Sequence, residues 1–285
     1  MLLLDYNAIC IASVMVQKDL EFDKQTLKHY ILNSVRMHTM KHKNKYGYPV
    51  ICCDSRSWRK DYYPEYKASR KKGRDGDSRD WDAIFQAIDE VRQDFMDNFP
   101  YKVIKIDDAE ADDIIGTLVE HTQEFGNHED VMIISGDKDF VQLQAYGNVK
   151  QYSPIKKSLI EEKHPKTFLL EHILRGDSGD GVPNILSDDD TFVTEGKRQK
   201  PVSKKFVEAV MEADTPQESS VWTADIERNF ARNKKLIDLR ETPEAIKSNI
   251  INTYVDQKVA HKSKVMNYLV KNRMKLLIEC LSDFV

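Results

Sequence analysis

The sequence predicts an α/β fold, in which a parallel sheet carries helices on both faces and a mostly helical C-terminal region follows. Two patterns predict it. In the first 165 residues, short apolar runs of strand length alternate with segments of helix length. After about residue 166 the strand-like runs stop, and the remaining segments have helical length and spacing. We therefore expect an α/β core over residues 1–165 and a helical region over residues 166–285.

The predicted elements follow in order along the chain. Apolar runs predict four strands, at residues 2–4, 50–53, 103–106 and 131–134. Helical patterns between them cover residues 27–42, 81–98 and 111–125. The C-terminal region has further helical patterns at residues 167–175, 205–213, 222–239, 243–254 and 263–281.

The composition is that of an ordinary globular protein, with 40% hydrophobic and 32% charged residues. No apolar run approaches the roughly 20 residues that a membrane-spanning helix needs, so we expect no membrane partner and a cytoplasmic location. The four cysteines lack CxxC spacing, which favours buried thiols over disulfides or zinc ligands: Cys10, Cys52, Cys53 and Cys280.

Acidic residues follow every predicted strand. Asp5 follows the first, Asp54 the second, Asp107 and Asp108 the third, and Asp137 the fourth. The carboxyl ends of parallel strands lie along one edge of a sheet, where ligand sites form. The sequence therefore predicts a cluster of carboxylates at that edge.

Three further motifs add acids to this set. Residues 110–113 contribute Glu110 and Asp112 at the start of a helix. Asp113, next to an apolar run, is the member expected to be structural or to support the metal ligands without touching the metal. The alternative is that Asp107 or Asp108 caps this helix and the acids complement its dipole. The other two motifs are glycine turns with paired aspartates: Asp137 and Asp139 in residues 136–140, and Asp177 and Asp180 in residues 176–181. The alternative for the first pair is a helix cap that complements the helix dipole, and the alternative for the second pair is an ordinary surface turn.

Carboxylates that converge repel one another, and a hard divalent cation resolves that conflict. An all-oxygen ligand set without cysteine favours Mg²⁺, with Mn²⁺ as a substitute, over zinc. Seven or more acids exceed what one Mg²⁺ needs, so we expect two ions, an arrangement typical of phosphodiester hydrolysis.

Basic residues are concentrated in two places although the net charge is −4. Residues 56–79 contain nine Lys or Arg against four Asp or Glu, interleaved with aromatic residues, and residues 197–205 contain five basic residues and no acid. Cations bind backbone phosphates and aromatic faces stack on unpaired bases, so both segments are candidates for nucleic-acid contact. The alternative is a solvated surface loop.

Four motifs together resemble the 5′ nuclease family, which includes flap endonucleases and the 5′ nuclease domains of bacterial DNA polymerases. They are Tyr-Lys-Ala-Ser-Arg at residues 66–70, Glu-Ala-Asp-Asp at 110–113, Gly-Asp-Lys-Asp-Phe at 136–140 and Gly-Asp-Ser-Gly-Asp-Gly-Val-Pro at 176–183. Trp81-Asp82 and residues 151–154 and 248–251 are similar to phage replication nucleases of this family.

The resemblance implies a 5′ nuclease, PIN-like core with an arch over residues 55–80 and a helix–turn–helix DNA-binding element opened by residues 176–183. It implies one metal site formed by Asp5, Asp54, Asp112 and Asp137, assisted through water by Glu110, and a second formed by Asp139, Asp177 and Asp180. The catalytic candidates are Lys67, Arg70, Glu110, Asp112 and Asp137. The nucleic-acid-binding candidates are Arg59, Lys60, Tyr66, Lys67, Arg70, Lys71, Gly179, Gly181, Lys204 and Lys205.

The implied activity is Mg²⁺-dependent hydrolysis of RNA–DNA hybrids, duplex 5′ ends and flaps by a monomer, in primer removal during lagging-strand replication, with a single-strand-binding protein among the expected partners. After Pro183 the chain departs from the glycine-rich, ion-binding hairpin of cellular relatives.

Two other functions stay open at this point. A haloacid-dehalogenase-like phosphatase needs Asp-x-Asp after the first strand, where this chain has Asp5-Tyr6-Asn7. A non-catalytic nucleic-acid-binding protein would use its acids only as helix caps.

Overall fold

A computed structural model describes residues 1–15, 23–70, 79–124 and 128–285. They form two compact units, each discontinuous in sequence. The first, called the sheet unit, comprises Met1–Arg56, Ser78–Glu161 and Glu244–Val285. The second, called the helical unit, comprises Ser57–Asp77 and Glu162–Pro243.

A six-stranded sheet with the order β3-β2-β1-β4-β5-β6 forms the centre of the sheet unit. The strands are β1 (Leu2–Asp5), β2 (Pro49–Cys53), β3 (Lys102–Lys105), β4 (Val131–Ile134), β5 (Val149–Ser153) and β6 (Ser158–Ile160). The first five pair in parallel, and β6 pairs with β5 in the antiparallel direction. Every residue of β1, β2 and β4 is buried, as expected for parallel strands covered on both faces.

Four long helices cover this sheet: α1 (Tyr6–Met15), α2 (Lys24–Tyr46), α4 (Trp81–Asn98) and α5 (Ala111–Gln123). The predicted parallel sheet and three of these helices are confirmed, with bounds that agree within four residues. Helix α1 and strands β5 and β6 were not predicted. Helix α1 continues β1 without a break, and β6 is a three-residue edge strand whose residues are mostly exposed, so neither gives a strong periodic pattern.

The C-terminal helices of the sheet unit are α9 (Glu244–Asp256), α10 (Ser263–Lys271), α11 (Lys275–Ile278) and α12 (Leu281–Phe284). Helix α9 packs on α5, where Lys247 pairs with Glu120 at 2.9 Å. The single helix predicted for residues 263–281 is wrong. The chain leaves the helical conformation at Arg273, whose φ of 56° is left-handed, and three short helices result.

The helical unit contains α3 (Arg59–Tyr62), α6 (Pro165–Arg175), α7 (Lys204–Met211) and α8 (Ala224–Ile237). A short 3-10 turn at Pro216–Glu218 lies between α7 and α8, and another at Leu239–Glu241 follows α8. A third follows β4 in the sheet unit at Lys138–Ala145. Two apolar clusters hold the helical unit together, one of them around Tyr63, Tyr66 and Leu236. Between α6 and α7 the structure shows turns and one isolated β-bridge, so the helix–turn–helix element stays a prediction.

Within the described part of the chain, every helix is too short or too polar to cross a bilayer.

Candidate metal centre and nucleic-acid interface

The acidic edge of the sheet unit begins with Asp5, the last residue of β1, which lies opposite Cys52 of β2. The Ser135 hydroxyl, just beyond β4, donates to Asp5 Oδ2 at 2.8 Å and accepts from the Asp137 N–H at 3.2 Å. The Ala8 N–H donates to Asp5 Oδ1 at 3.0 Å. Ser135 therefore joins Asp5 to the turn that carries Asp137, and sequence analysis had overlooked this residue.

Asp54 follows β2 and reaches the N-terminus of α5. The Ala111 N–H donates to Asp54 Oδ1 at 2.7 Å, and the Ser55 N–H donates to the Ala109 carbonyl at 2.9 Å. A helix N-terminus presents unpaired N–H groups and partial positive charge, which stabilises a carboxylate. The contact places Asp54 beside the segment that carries Glu110 and Asp112.

Helix α5 begins with a capping box. The Glu110 N–H donates to Asp113 Oδ2 at 2.9 Å, and the Glu110 side chain completes the box by accepting from the Asp113 N–H. Asp113 is fully buried, and its carboxylate serves this cap. Asp107 and Asp108 do not cap α5: both are exposed, and Asp108 pairs with Arg56 at 3.0 Å. Glu110 is buried and Asp112 is half-buried.

The turn after β4 also has a cap. Asp137 is the N-cap of the 3-10 helix and accepts from the Asp139 N–H at 3.0 Å. Buried Gln151, on β5, donates to the carbonyls of Ser135 at 3.1 Å and Asp137 at 2.5 Å. Gly136 leaves little space, because an added Cβ would lie 3.3 Å from the Ser153 hydroxyl. The turn is thus fixed from both sides, and β5, unseen in the sequence, supplies much of that support.

Burial and neighbouring charge raise the pKa of Asp5 to about 7. Burial is the larger cause, followed by the nearby Asp54 carboxylate, with Asp137 adding a smaller contribution. The hydrogen bonds from Ala8 and Ser135 oppose this rise only in part. Clustered acids that disfavour one another's charge, with oxygen as their donor atom, fit a hard divalent cation.

The helical unit holds Asp177 and Asp180 in a tight turn. Gly176 has a φ of 69°, and an added Cβ would lie 2.4 Å from the Val182 carbonyl oxygen, so the turn requires glycine there. Asp177 and Val182 exchange backbone hydrogen bonds of 2.8 and 2.7 Å. The Asp177 carboxylate accepts from the Gly179 N–H at 2.9 Å and lies 3.3 Å from His172 Nε2. His172 was missed because a lone histidine in a helical pattern gives no signal.

Asp180 is surrounded by residues of the predicted arch. Its Oδ2 accepts from the Tyr66 hydroxyl at 3.0 Å and lies 3.4 Å from Lys67 Nζ. Its Oδ1 accepts from Arg70 at 2.5 Å. The motif at residues 66–70 and the turn at residues 176–183 therefore meet, although more than a hundred residues separate them.

Two nucleic-acid-binding assignments are contradicted by burial. Arg59 is only 2% exposed and its Nε donates to the Leu236 carbonyl at 2.8 Å, which leaves it no route to a phosphate. Tyr66 is 3% exposed and its ring packs with Tyr63 in the core of the helical unit, so bases cannot stack on it. Tyr63 and Tyr66 form this core together with aliphatic side chains of α6 and α8, among them Ile173 and Leu236.

The other basic candidates lie at the surface or outside the described residues. Lys60, Lys204 and Lys205 are exposed; the Lys204 side chain is 86% exposed and lies 3.4 Å from Glu208. Gly179 is exposed, whereas Gly181 is buried, with a φ of 73° and with the Glu65 carbonyl 3.0 Å from the position of an added Cβ. Lys71 and residues 71–78 of the arch lie outside the described residues.

Comparison with known proteins identifies the family to which the chain belongs. A family model described as "5'-3' exonuclease, N-terminal resolvase-like domain" matches residues 2–169, and one described as "T4 RNase H, C terminal" matches residues 164–284. The ribonuclease H of Enterobacteria phage T4 is 33% identical over 99% of this chain and 95% of its own length.

Solved structures share the fold. The flap endonuclease of bacteriophage T5, solved as a pseudo-enzyme-product complex with DNA and metal ions, aligns with a TM-score of 0.63 at 14% identity, covering 95% of this chain and 98% of that one. The T5 5′-exonuclease with bound zinc aligns with a TM-score of 0.60 at 14% identity, covering 90% and 98%. The phosphatase and the non-catalytic alternatives are therefore set aside. The chain belongs to the 5′ nuclease family: it joins a 5′-3′ exonuclease N-terminal domain to a C-terminal region of the T4 RNase H type, and it is a metal-dependent phosphodiesterase.

Proposed function

We propose that this nuclease depends on Mg²⁺ and hydrolyses RNA–DNA hybrids, duplex DNA from its 5′ ends, and 5′ flaps. The observation that carries the proposal is the meeting of Asp5, Asp54 and Asp137 at one sheet edge beside the start of α5. The relative named ribonuclease H and the flap endonuclease solved with DNA and metal ions support these substrates. The biological role is removal of RNA primers and adjacent DNA during lagging-strand replication in the host cytoplasm.

The residues proposed to hold the first metal ion are Asp5, Asp54, Asp112 and Asp137, with Glu110 acting through water. The family motifs assign a second ion to Asp139, Asp177 and Asp180. Mg²⁺ fits an all-carboxylate donor set, and Mn²⁺ should replace it. When bound, the two ions stabilise negative charge on the attacking and leaving oxygens of the phosphodiester.

The protein side chains have separate tasks in this proposal. Ser135 and the Ala111 N–H hold Asp5 and Asp54 in place before metal binds. Lys67 and Arg70 supply positive charge to the scissile phosphate, where charge grows in the transition state. Lys60, Lys204 and Lys205 bind backbone phosphates, the last two together with the proposed helix–turn–helix element. The enzyme works as a monomer, with a single-strand-binding protein as a replication partner.

One experiment ranks these activities. An RNA–DNA hybrid, a nicked duplex and a 5′ flap, each 5′-labelled, are incubated with the protein in Mg²⁺, Mn²⁺, Ca²⁺ or a chelator. We expect cleavage in Mg²⁺ and Mn²⁺, and binding without cleavage in Ca²⁺, whose longer and looser coordination does not reproduce the Mg²⁺ geometry. Efficient cleavage in Ca²⁺ alone, or with the chelator, would overturn the metal assignment. A hybrid that resists cleavage while the DNA substrates are cut would overturn the primer-removal role.

A further inference from the structure

The buried Asp180 carboxylate lies among three side chains of one short segment. Arg70 donates to Oδ1 at 2.5 Å, Tyr66 donates to Oδ2 at 3.0 Å, and Lys67 Nζ lies 3.4 Å from Oδ2. Both carboxylate oxygens are thus engaged, and two of the three partners are cations. A divalent ion would meet repulsion from both cations at this carboxylate.

The backbone binds the same two segments together. The Lys67 N–H donates to the Asp180 carbonyl at 2.8 Å. The Tyr63 side-chain hydroxyl reaches the Gly181 carbonyl at 3.4 Å. Lys67 has a φ of 56°, a left-handed conformation that a lysine rarely adopts and that persists only where surrounding contacts enforce it. Asp180 contacts Lys67 through both its main chain and its side chain, so it is well placed to enforce that conformation.

We infer that Asp180 is a positioning residue, which acts on the reaction through Lys67 and Arg70 rather than as a ligand of the second metal ion. The inference rests on the proposed function of these two cations at the scissile phosphate. Long, flexible side chains lose catalytic value when they must be ordered during the reaction. Asp180 orders them beforehand, and because one carboxylate faces two cations, the group keeps a net positive charge toward a phosphate.

A mutant cycle tests this under single-turnover conditions with saturating enzyme, which exclude affinity and product release. Asp180→Asn should slow cleavage on the order of 10²-fold, the cost of misplacing a catalytic group. The same substitution in a Lys67→Ala/Arg70→Ala background should slow it by less than about threefold, because the groups it positions are already gone. A full, additive loss in that background overturns the inference.

The matched control is Asp188→Asn. Asp188 is an exposed carboxylate of the same unit, paired with Lys197 at 2.9 Å, and its replacement should leave the single-turnover rate unchanged. Calorimetric titration with Mn²⁺ gives a readout that needs no substrate: Asp180→Asn should bind as many ions as the wild type with the same affinity. Loss of one bound ion in this variant assigns Asp180 to the metal and overturns the inference.

A second readout without substrate concerns Arg70 itself. The Nη–H signal of Arg70, the group that donates to Asp180, is identified in ¹⁵N spectra of the metal-free protein by its disappearance in Arg70→Lys. It should shift and broaden in Asp180→Asn and stay unchanged in Asp188→Asn. An Arg70 signal that is the same in Asp180→Asn as in the wild type overturns the inference. A protein that cuts none of the three substrates would defeat the proposed function instead, and these spectra would still decide whether Asp180 positions Arg70.

Discussion

Asp5 and Asp180 are equally buried aspartates, 7% and 8% exposed, in opposite electrostatic surroundings. Asp5 in the sheet unit is held by the neutral Ala8 N–H and Ser135 hydroxyl and lies near other carboxylates, which with burial raise its pKa to about 7. Asp180 in the helical unit is paired with Lys67 and Arg70. The difference teaches that the two units use buried acids differently: the sheet unit gathers carboxylates at the proposed first metal site, and the helical unit pairs a carboxylate with two cations.

The family motifs do not show this difference. Asp5 lies at the end of a strand and Asp180 in a glycine turn, and the motifs predict a metal ligand at both positions. The surroundings are supplied by residues distant in sequence. Ser135 reaches Asp5 across 130 residues, and Tyr66 reaches Asp180 across 114. Four changes would break or sharpen the comparison.

The largest effect is expected from Asp137→Asn, on the sheet-unit side. It removes one negative charge from the proposed first metal site while leaving the basic surface intact, so cleavage should fall by about 10³-fold or more and substrate binding should persist. Cleavage and binding are measured on a 5′-labelled flap. Asp107→Asn is the matched control, since Asp107 also follows a strand but is exposed. Equal losses of binding and cleavage in Asp137→Asn would contradict the metal role.

The second effect concerns the cations that Asp180 holds. Lys67→Ala and Arg70→Ala should each slow single-turnover cleavage on the order of 10²-fold with little change in binding, because their contacts to phosphate strengthen as charge develops. Lys166→Ala, an exposed lysine of α6 in the same unit, serves as control. If both variants cut at the wild-type rate, Lys67 and Arg70 have no catalytic role, and the pairing of Asp180 with these cations has no consequence for cleavage.

The third change compares Asp5 and Asp180 through the free energy of unfolding of the metal-free protein. The Asp5 pKa is higher in the folded chain, about 7, than the ordinary value of 3.8, so ionisation disfavours the fold. This cost is absent below about pH 4, grows as the pH rises to about 7, and is constant above it. Asp5→Asn should therefore raise the free energy of unfolding at pH 8 by on the order of 2–4 kcal/mol and have little effect at pH 4.

Asp180→Asn should do the reverse at pH 8, lowering the free energy of unfolding by about 1–2 kcal/mol, because it leaves Lys67 and Arg70 without their carboxylate partner. Urea denaturation with a chelator present, at pH 4 and pH 8, measures both variants. Destabilisation by Asp5→Asn at pH 8 would mean that the charge of Asp5 is stabilised by its surroundings in the folded protein, and the contrast between the two units would fail.

The smallest effect is expected at the surface of the helical unit, from the double variant Lys204→Ala/Lys205→Ala. Each phosphate contact that is lost should reduce the slope of log binding constant against log salt by about one unit, alike for all sequences. Binding of a nicked duplex in Ca²⁺ at several salt concentrations gives the slope. Lys271→Ala/Lys275→Ala, exposed lysines of the sheet unit, is the control. An unchanged slope moves the duplex contact away from α7.

The sequence by itself determined the parallel sheet, its strands β1 to β4 within about one residue, and the acids at their ends. Strand length and apolar runs are local properties, and the rule that parallel strands end at one edge converts them into a site. It also set Asp113 apart from the other acids because Asp113 adjoins an apolar run, whereas its place in a capping box with Glu110 emerged only from the structure.

Tertiary structure alone decided which charged and aromatic residues became interior. Arg59 and Tyr66 have the composition of a phosphate-binding, base-stacking loop, yet Arg59 bonds a carbonyl 177 residues away and Tyr66 packs in a core. Strands β5 and β6, the break after α10, and the return of Glu244–Val285 to the sheet unit were likewise beyond the sequence. The physical reason is that burial of a polar side chain depends on whether a distant partner satisfies it, and the residue's own neighbours in sequence do not specify that partner.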